Sequence, residues 1–306
     1  MPPRIAIPMP HSADKDYAER SIPQYEHGVR QAGGEPVRIP LDQTPAQVMK
    51  IIELCDGVLL PGSNADVDPS KFGAVRSPHT APADARRDTV DELLLQDAYN
   101  MRKPILGICY GLQSLNVYRT GSLVQHIPDF LPKELRTRID HEAGKKVRVA
   151  HPVEVEPNSK LAEIVGENVS GSSGRQPDLV ATPVHHSLLA PERRKTADQG
   201  ASRGSAAQTE SAPEARKKTL RIPVNSSHHQ SADVVGDGLR IVARSAEDGI
   251  IEALEGTTPD HFVLAVQWHP ERSVDEDEPS RAIFRALIEA AAQRHEELKA
   301  EFESVK

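Results

Sequence analysis

The sequence lacks the features that would point to a membrane or to a nucleic acid. Its 306 residues contain no apolar run near the roughly 20 residues that a membrane helix needs. The net charge of −8 is spread along the chain with no long basic block, which disfavours nucleic-acid and anionic-membrane partners. The N-terminus leads into a short apolar stretch without the pattern of a secretory signal, so the sequence predicts a cytoplasmic protein.

Cysteine is also scarce, with only Cys55 and Cys109 in the chain. Two thiols in a reducing compartment indicate burial or chemistry more readily than a disulfide. The neighbours of Cys55 are apolar, which is typical of a core position. The remaining apolar residues are numerous enough for a globular chain to bury a sizeable core.

The pattern of apolar residues predicts an α/β fold, with a central, mostly parallel sheet flanked by helices. Period-two alternation at 145–155 and 239–254 predicts an added antiparallel layer. The predicted strands are Arg4 to Ile7, Pro36 to Ile39, Gly57 to Leu60 and Pro104 to Ile108. Five helices are predicted. Two have both bounds, Tyr17 to Ala32 and Ala85 to Met101. The other three begin at Pro45 with Thr44 as N-cap, directly after Cys109, and at about Glu278.

One segment interrupts this pattern. Residues from about 166 to 218 are rich in Ser, Gly, Ala, Gln, Pro and charge, with almost no aromatic or β-branched clusters. Such a composition offers too little apolar surface to offset the entropy of ordering the chain. The sequence therefore predicts a single domain over 1–306 that carries a disordered insert at about 166–218.

The strongest chemical signal is a nucleophile elbow at Cys109. A buried strand ends in this cysteine, and Gly107 and Gly111 lie two residues away on each side. Side chains at both glycines would collide in a sharp strand-to-helix turn, so glycine is a steric requirement. The turn leaves the sulfur at a helix N-terminus, which stabilises a thiolate and aims the N–H of Tyr110 at a developing oxyanion. The alternative is a buried apolar cysteine before a helix.

The second signal is a base for this nucleophile. An apolar run from Phe262 to Trp268 ends in His269, Pro270 and Glu271. A strand that ends in histidine can place the imidazole beside a cysteine at the end of a neighbouring strand. A carboxylate two residues later can reach the other ring nitrogen. A histidine at a strand end is often structural, but the combination with Cys109 favours catalysis.

Four separated blocks carry a resemblance to a known family. They are Leu60-Pro-Gly62-Ser63, Gly107-Ile-Cys109-Tyr-Gly111-Leu-Gln113, Val224-Asn-Ser226-Ser-His228-His229-Gln230 and Gln267-Trp-His269-Pro-Glu271. These blocks resemble the class I glutamine amidotransferase superfamily, and within it the branch like γ-glutamyl-γ-aminobutyrate hydrolase (peptidase C26). The resemblance covers nearly the whole chain except the insert, and the blocks occur in the order of the family.

The resemblance implies a role for each matched residue. Cys109 would be the nucleophile, His269 the general base and then acid, and Glu271 the residue that orients the imidazole. The other implied positions are Gly62 and Tyr110 as backbone oxyanion donors, Gln113 near the glutamyl head group, and Ser63, Ser227, His228 and His229 in the substrate pocket. Tyr110 stands where the family often has arginine, and Ser63 where it often has a second glycine.

Adjacent His228 and His229 raise the alternative of a metal site. Consecutive side chains of a strand point to opposite faces and cannot easily meet one ion. The pair His185 and His186 lies at the edge of the low-complexity stretch. We therefore expect no metal and no cofactor, with His228 and His229 forming a pocket wall.

Charged residues outside the four blocks have simpler interpretations. Asp66 and Asp68 follow the presumed oxyanion loop, where Asx hydrogen bonds of a turn are favoured over contact with a substrate amine. Arg87, Asp88 and Glu92 lie on a predicted helix and are interpreted as a solvated face with intrahelical pairs.

The sequence thus predicts a hydrolase of γ-glutamyl amides that acts on a small molecule through a glutamyl thioester. One alternative is a glutaminase subunit that donates ammonia to a separate synthetase. The other is a binding or regulatory homologue that has lost turnover. The motifs do not specify the leaving amine or the oligomeric state.

Overall fold

The protein is described from a computed structural model, which covers residues 1–136, 138–166 and 219–304. These residues all belong to one compact unit. The predicted insert, apart from Gly166, lies outside the described residues, as do His185 and His186. Among the described helices, none combines the length and apolarity needed to cross a membrane.

The described residues contain eleven strands. In chain order they are β1 (Arg4–Pro8), β2 (Glu35–Ile39), β3 (Gly57–Leu60), β4 (Ile105–Ile108), β5 (Leu123–Val124), β6 (His151–Val155), β7 (Leu220–Val224), β8 (Ser231–Ala232), β9 (Leu239–Ser245), β10 (Ile251–Gly256) and β11 (Val263–Val266). Nine of these strands form one sheet in the order β2-β1-β3-β4-β11-β10-β9-β6-β7, and β5 pairs with β8 separately.

The predicted α/β fold class is confirmed. The strands β2, β1, β3, β4 and β11 are parallel to one another, whereas β10, β9, β6 and β7 continue the sheet in antiparallel pairs. The antiparallel strands therefore extend the same sheet instead of stacking on it. The strand predicted within 145–155 begins later than expected. Residues 143–145 form a short 3-10 helix, and β6 starts at His151.

Helices cover both faces of this sheet. They are α1 (Lys15–Gln31), α2 (Pro45–Ile52), α3 (Ala85–Met101), α4 (Tyr110–Tyr118), α5 (Ile127–Phe130), α6 (Lys160–Gly166) and α7 (Glu278–Ser304). Thr44 caps α2 as predicted, accepting a hydrogen bond from the N–H of Gln47 in a capping box. Asp84 caps α3 by accepting hydrogen bonds from the N–H groups of Arg86 and Arg87, so α3 begins at Ala85 as predicted.

The core consists of two large apolar clusters separated by the sheet. Leu106 and Ile108 of β4 pack in the cluster that includes side chains of α1 and α7. Ile105 packs in the other cluster, with side chains of α2 and α3. Because β4 is buried on both faces, its carboxyl end is held firmly where α4 begins.

Candidate active site

Cys109 lies at a strained turn between β4 and α4. Its backbone angles are φ 54° and ψ −106°, a combination that L-residues rarely adopt. Its N–H donates a hydrogen bond to the carbonyl of Val266 on β11 at 2.8 Å. The turn therefore has the geometry of a nucleophile elbow, with the cysteine directly before the first turn of a helix.

The glycines around Cys109 are required by close backbone contacts. A Cβ atom added at Gly107 would lie 2.9 Å from the backbone of Gly111. A Cβ atom added at Gly111 would lie 2.1 Å from the carbonyl oxygen of Leu60. Backbone cannot yield as a flexible side chain can, so a larger residue at either position would open the turn.

His269 reaches the same edge of the sheet through the register of β11 with β4. Val266 pairs with Ile108, so the segments that follow both strands emerge side by side. Asn225 holds the backbone of His269 in two directions, since its Nδ2 donates to the His269 carbonyl and its Oδ1 accepts from the His269 N–H, both at 2.9 Å. The position of the imidazole is therefore fixed by both strand pairing and a side-chain clamp.

The imidazole of His269 is bound to Glu271. The Nδ1 atom lies 2.7 Å from Glu271 Oε1, and both side chains are buried. Since the carboxylate is an acceptor, Nδ1 carries the proton and Nε2 is left to interact with the thiol. Burial alone would lower the pKa of His269, but the charges of Glu271 and Cys109 raise it to about 9.

Cys109, His269 and Gly62 converge on one place. A Cβ atom added at Gly62 would lie 3.1 Å from His269 Cε1 and 3.7 Å from Cys109 Cβ. The charge of Cys109 also contributes to the raised pKa of His269, as expected for two side chains that face the same place. Three of the residues that sequence reasoning proposed for a single site are thus brought together from distant segments.

The side chain of Tyr110 points away from this place. Its hydroxyl donates to Asp88 Oδ1 at 2.5 Å, and the guanidinium of Arg87 lies over the ring, 4.9 Å from its centroid. Tyr110 can therefore meet a substrate through its backbone N–H, one of the donors that the first turn of a helix leaves unpaired.

The predicted solvated face at Arg87 and Asp88 is wrong. Arg87 is 0% exposed, pairs with Asp91 at 2.7 Å and donates to the carbonyls of Pro10 and Pro61. The intrahelical pair exists, but tertiary packing encloses it. Pro61 precedes Gly62, so this buried guanidinium helps to hold the loop beside Cys109.

The remaining predicted pocket residues occupy different environments. Gln113 is buried, and its Nε2 donates to the carbonyl of Gln230 at 3.3 Å. Ser63 Oγ accepts from the N–H of Ala65 at 3.1 Å. Ser227 Oγ accepts from Arg272 at 2.8 Å, and Arg272 in turn lies 3.6 Å from Glu271.

His228 and His229 diverge. His229 Nε2 lies 3.2 Å from Asp66 Oδ1, whereas His228 Nε2 lies 3.4 Å from the buried Glu252. Asp66 also accepts from the N–H of Ala81, so it joins two loops and is not simply a turn residue. Asp68 does form the expected Asx turn, accepting from the N–H two residues later.

Comparison with known proteins assigns the family. The sequence model of the peptidase C26 family matches residues 5–175 and 183–271. The chain belongs to the peptidase C26 family. It is 30% identical over 298 residues to the γ-glutamyl-γ-aminobutyrate hydrolase of Escherichia coli (strain K12), covering 96% of this chain and 94% of the relative.

Other matches agree on family and fold. The chain is 29% identical over 293 residues to the γ-glutamyl-γ-aminobutyrate hydrolase of Shigella flexneri, covering 94% of this chain and 93% of that protein. The glutaminase domain of Trypanosoma brucei CTPS, solved with bound acivicin, has a TM-score of 0.51 at 15% identity and covers 95% of this chain and 94% of its own. The protein is thus a hydrolase of the class I glutamine amidotransferase type, as the resemblance implies.

Sequence reasoning missed Tyr25 in this peptidase C26 protein. Its hydroxyl accepts a 3.0 Å hydrogen bond from the Gly62 N–H, the predicted oxyanion donor. Burial, Glu271 and Cys109 all raise the pKa of Tyr25, so it keeps its proton. A tyrosine on the buried face of a helix resembles any core aromatic, and no local sequence signal marks it.

The second thiol of the C26 protein has the predicted core environment. Cys55 is buried in the cluster with α2 and α3, and its Sγ donates to the carbonyl of Ile51 at 3.3 Å. Burial raises the pKa of Cys55 to about 11. This thiol therefore stays protonated and unreactive at neutral pH.

Proposed function

We propose that this protein hydrolyses γ-glutamyl amide bonds with Cys109 as the nucleophile. The observation that carries the proposal is the convergence of Cys109 with His269, whose imidazole is hydrogen bonded to Glu271 at 2.7 Å. Two relatives named γ-glutamyl-γ-aminobutyrate hydrolase support a small γ-glutamyl amide as the substrate. A cytoplasmic location is part of the same proposal.

Acylation begins with a Cys109 thiolate and a protonated His269. The sulfur attacks the γ-carbonyl carbon, and the carbonyl oxygen becomes an oxyanion. The N–H of Tyr110 is free to stabilise this charge, because the first turn of α4 offers it no helical partner. The C–N bond then breaks as His269 donates its proton to the departing amine, which leaves a glutamyl thioester on Cys109.

Deacylation uses the same residues in reverse. His269, now neutral, accepts a proton from water as the water oxygen attacks the thioester carbonyl. The C–S bond breaks, glutamate is released, and Cys109 and His269 return to the ion pair. Glu271 stabilises the imidazolium in both half reactions and keeps the proton-bearing Nδ1 oriented.

Gly62 requires one rearrangement in this scheme. Its N–H is bound to Tyr25, so it can serve the oxyanion only when the oxyanion replaces the tyrosine hydroxyl as acceptor. A Cβ atom added at Gly62 would lie 2.9 Å from the Tyr25 hydroxyl and 3.1 Å from His269 Cε1, so the exchange would take place beside the imidazole. Tyr25 would thus keep the donor satisfied and oriented while the site is empty of substrate.

The test is turnover of γ-glutamyl amides by the wild-type protein and two matched cysteine variants. We expect Cys109→Ala to lose at least about 10³-fold in kcat/KM, and Cys55→Ala to retain it. Mass spectrometry of quenched wild-type reactions should detect the glutamyl thioester on the peptide that contains Cys109. Glutamine and α-glutamyl amides serve as comparison substrates.

Two results would reject the proposal. One is turnover by Cys109→Ala close to that of the wild type. The other is an absence of wild-type turnover with every γ-glutamyl amide, which would favour the inactive homologue. Preference for glutamine, with stimulation by a co-purifying synthetase, would instead favour the glutaminase alternative.

A further inference from the structure

Three histidines and one glutamate meet in the interior, beside the candidate active site. His141 precedes the 3-10 helix at 143–145, His151 opens β6, His228 lies between β7 and β8, and Glu252 is on β10. Their exposed fractions are 5%, 3%, 4% and 0%, respectively. One ligand atom of each lies within 4.8 Å of those of the other three. We call this set the His–Glu cluster.

The outer nitrogen of each imidazole faces a hydrogen-bond acceptor. These contacts are His228 Nδ1 to the Gln230 carbonyl at 2.8 Å, His151 Nδ1 to the Pro152 carbonyl at 3.2 Å and His141 Nε2 to Asp248 Oδ2 at 2.9 Å. A carbonyl or carboxylate oxygen can only accept, so each outer nitrogen must carry a proton. In a neutral imidazole the inner nitrogen then has a lone pair directed into the cluster.

The inner nitrogens surround one carboxylate oxygen. His141 Nδ1 lies 3.2 Å from Glu252 Oε1, while His151 Nε2 and His228 Nε2 both lie 3.4 Å from it. Among the described residues these nitrogens and both Glu252 oxygens have no hydrogen-bond partner of good geometry. Buried acceptors that face one another repel and lose their hydration, so the arrangement requires a positive charge between them.

A proton is an insufficient source of that charge. Protonation of His141 would give Glu252 one donor, but the lone pairs of His151 and His228 would still face the carboxylate. A metal ion accepts all four ligands at once. Three imidazoles whose outer N–H groups are anchored by carbonyl or carboxylate oxygens are the arrangement that metal-ligating histidines usually have.

The spacing also fits a metal. In a tetrahedral zinc site with metal–nitrogen bonds of about 2.0–2.1 Å, neighbouring ligand atoms are about 3.3–3.4 Å apart. The three distances to Glu252 Oε1, 3.2–3.4 Å, match that edge length, and the remaining ligand atoms lie within 4.8 Å of one another. We propose that the His–Glu cluster binds one divalent transition-metal ion, with zinc as the expected occupant. Imidazole and carboxylate donors suit this ion, and four protein ligands would leave no open position.

Such an ion would be structural and would support the active site. It would join the loop with His228 to β6, β10 and the segment before the 3-10 helix. Asn225, three residues before His228, is the residue that clamps the backbone of His269. A cavity of about 140 Å³ is lined in part by His141 and His228. The inference does not depend on the reaction proposed for Cys109.

The test uses the full-length wild-type protein with Zn²⁺ as the probe. After chelator treatment and dialysis, we expect titration to restore about one zinc per chain, and the Tm to rise by about 5 °C or more. Co²⁺ in place of zinc should give the visible absorption of a four-coordinate site. Wild-type protein that takes up less than about 0.1 zinc per chain with no shift in Tm overturns the proposal.

Matched variants locate the ion. Glu252→Gln and His228→Gln should each weaken zinc binding by at least about 100-fold. His79→Gln is the control, because His79 belongs to a second group of potential ligands, with His126 and Asp129, that is largely exposed. The assignment is overturned if either cluster variant binds zinc as tightly as the wild type. It is also overturned if His79→Gln loses zinc binding. If a cluster variant fails to fold, the wild-type titration and cobalt spectrum decide.

Discussion

Replacing Glu271 with glutamine tests whether its charge keeps the proton on His269. The 2.7 Å hydrogen bond between them is buried, and burial alone would lower the pKa of the imidazole. The charges of Glu271 and Cys109 outweigh burial and raise that pKa to about 9. His269 is therefore protonated at neutral pH and loses its proton as the pH rises through about 9. Above that pH it can no longer protonate the departing amine.

Glutamine retains the shape and an acceptor oxygen for Nδ1 but removes the charge. A carboxylate this close raises the pKa of a histidine by about 1–3 units, and each unit corresponds to about 1.4 kcal/mol. We expect the alkaline limb of kcat/KM, near pH 9 in the wild type, to move down by about 1–2 units in Glu271→Gln. At neutral pH, kcat/KM should fall by about 10²–10⁴-fold, since the imidazolium is no longer stabilised.

The assay is a pH profile of kcat/KM for a γ-glutamyl amide across neutral and alkaline pH. Its limb reports a pKa of the whole site, so the comparison between variants matters more than the absolute value. Glu276→Gln is the control. It removes the same charge five residues along the chain, from a half-exposed carboxylate that pairs with Arg148. A Glu271→Gln profile that superimposes on the wild type, or an equal shift in Glu276→Gln, would refute the reasoning.

Two further substitutions test the elbow and the residue that follows it. Gly111→Ala places a carbon 2.1 Å from the Leu60 carbonyl, so urea titration should show a loss of about 3 kcal/mol in unfolding free energy. Gly166→Ala, whose added carbon meets only an ordinary contact at 3.9 Å, should change it little, and equal stability of the two would contradict the steric argument. Tyr110→Phe removes the 2.5 Å hydrogen bond to Asp88 and should cost about 1–3 kcal/mol in stability with KM unchanged. A tenfold rise in KM would mean that the Tyr110 side chain contacts the substrate.

The parallel half of the fold was predictable because its strands carry strong local signals. The β3 and β4 segments are continuous apolar runs buried on both faces, and their bounds agree with prediction to within a residue. The strand β7 was not predicted. It alternates between buried and exposed positions over only five residues, contains Pro223 and follows the low-complexity stretch directly. Its place at the sheet edge depends on pairing with β6, which the local sequence does not encode.

Some residues of the candidate site could also be predicted from the sequence, and others could not. Cys109 and His269 are each defined by a short motif, so they could be found in the sequence and then brought together by the register of β4 and β11. Arg87 could not be interpreted correctly, because the carbonyls that bury it come from loops far along the chain. Tyr25 was missed for the same reason, since its function depends on where α1 packs against the Gly62 loop.

The expectation that no metal binds was drawn from pairs of adjacent histidines alone. Adjacent His228 and His229 do face different partners, Glu252 and Asp66, although they lie in the loop between β7 and β8 and not on a strand. The ligand set that we propose instead combines His228 with residues from three other segments. Each of those residues is unremarkable in its local sequence, so only the fold reveals that their unpaired atoms converge.

The His–Glu cluster and the candidate active site are connected through Asn225. The register of β11 with β4 fixes the His269 backbone on one side, and Asn225 fixes it on the other. Asn225 directly follows β7, and His228 lies three residues further along the same loop. If the His–Glu cluster lost its ion, the repulsion among its acceptors would loosen that loop and, through Asn225, the imidazole. Metal removal should therefore lower kcat before it unfolds the sheet, because the strands depend on apolar packing and the clamp does not.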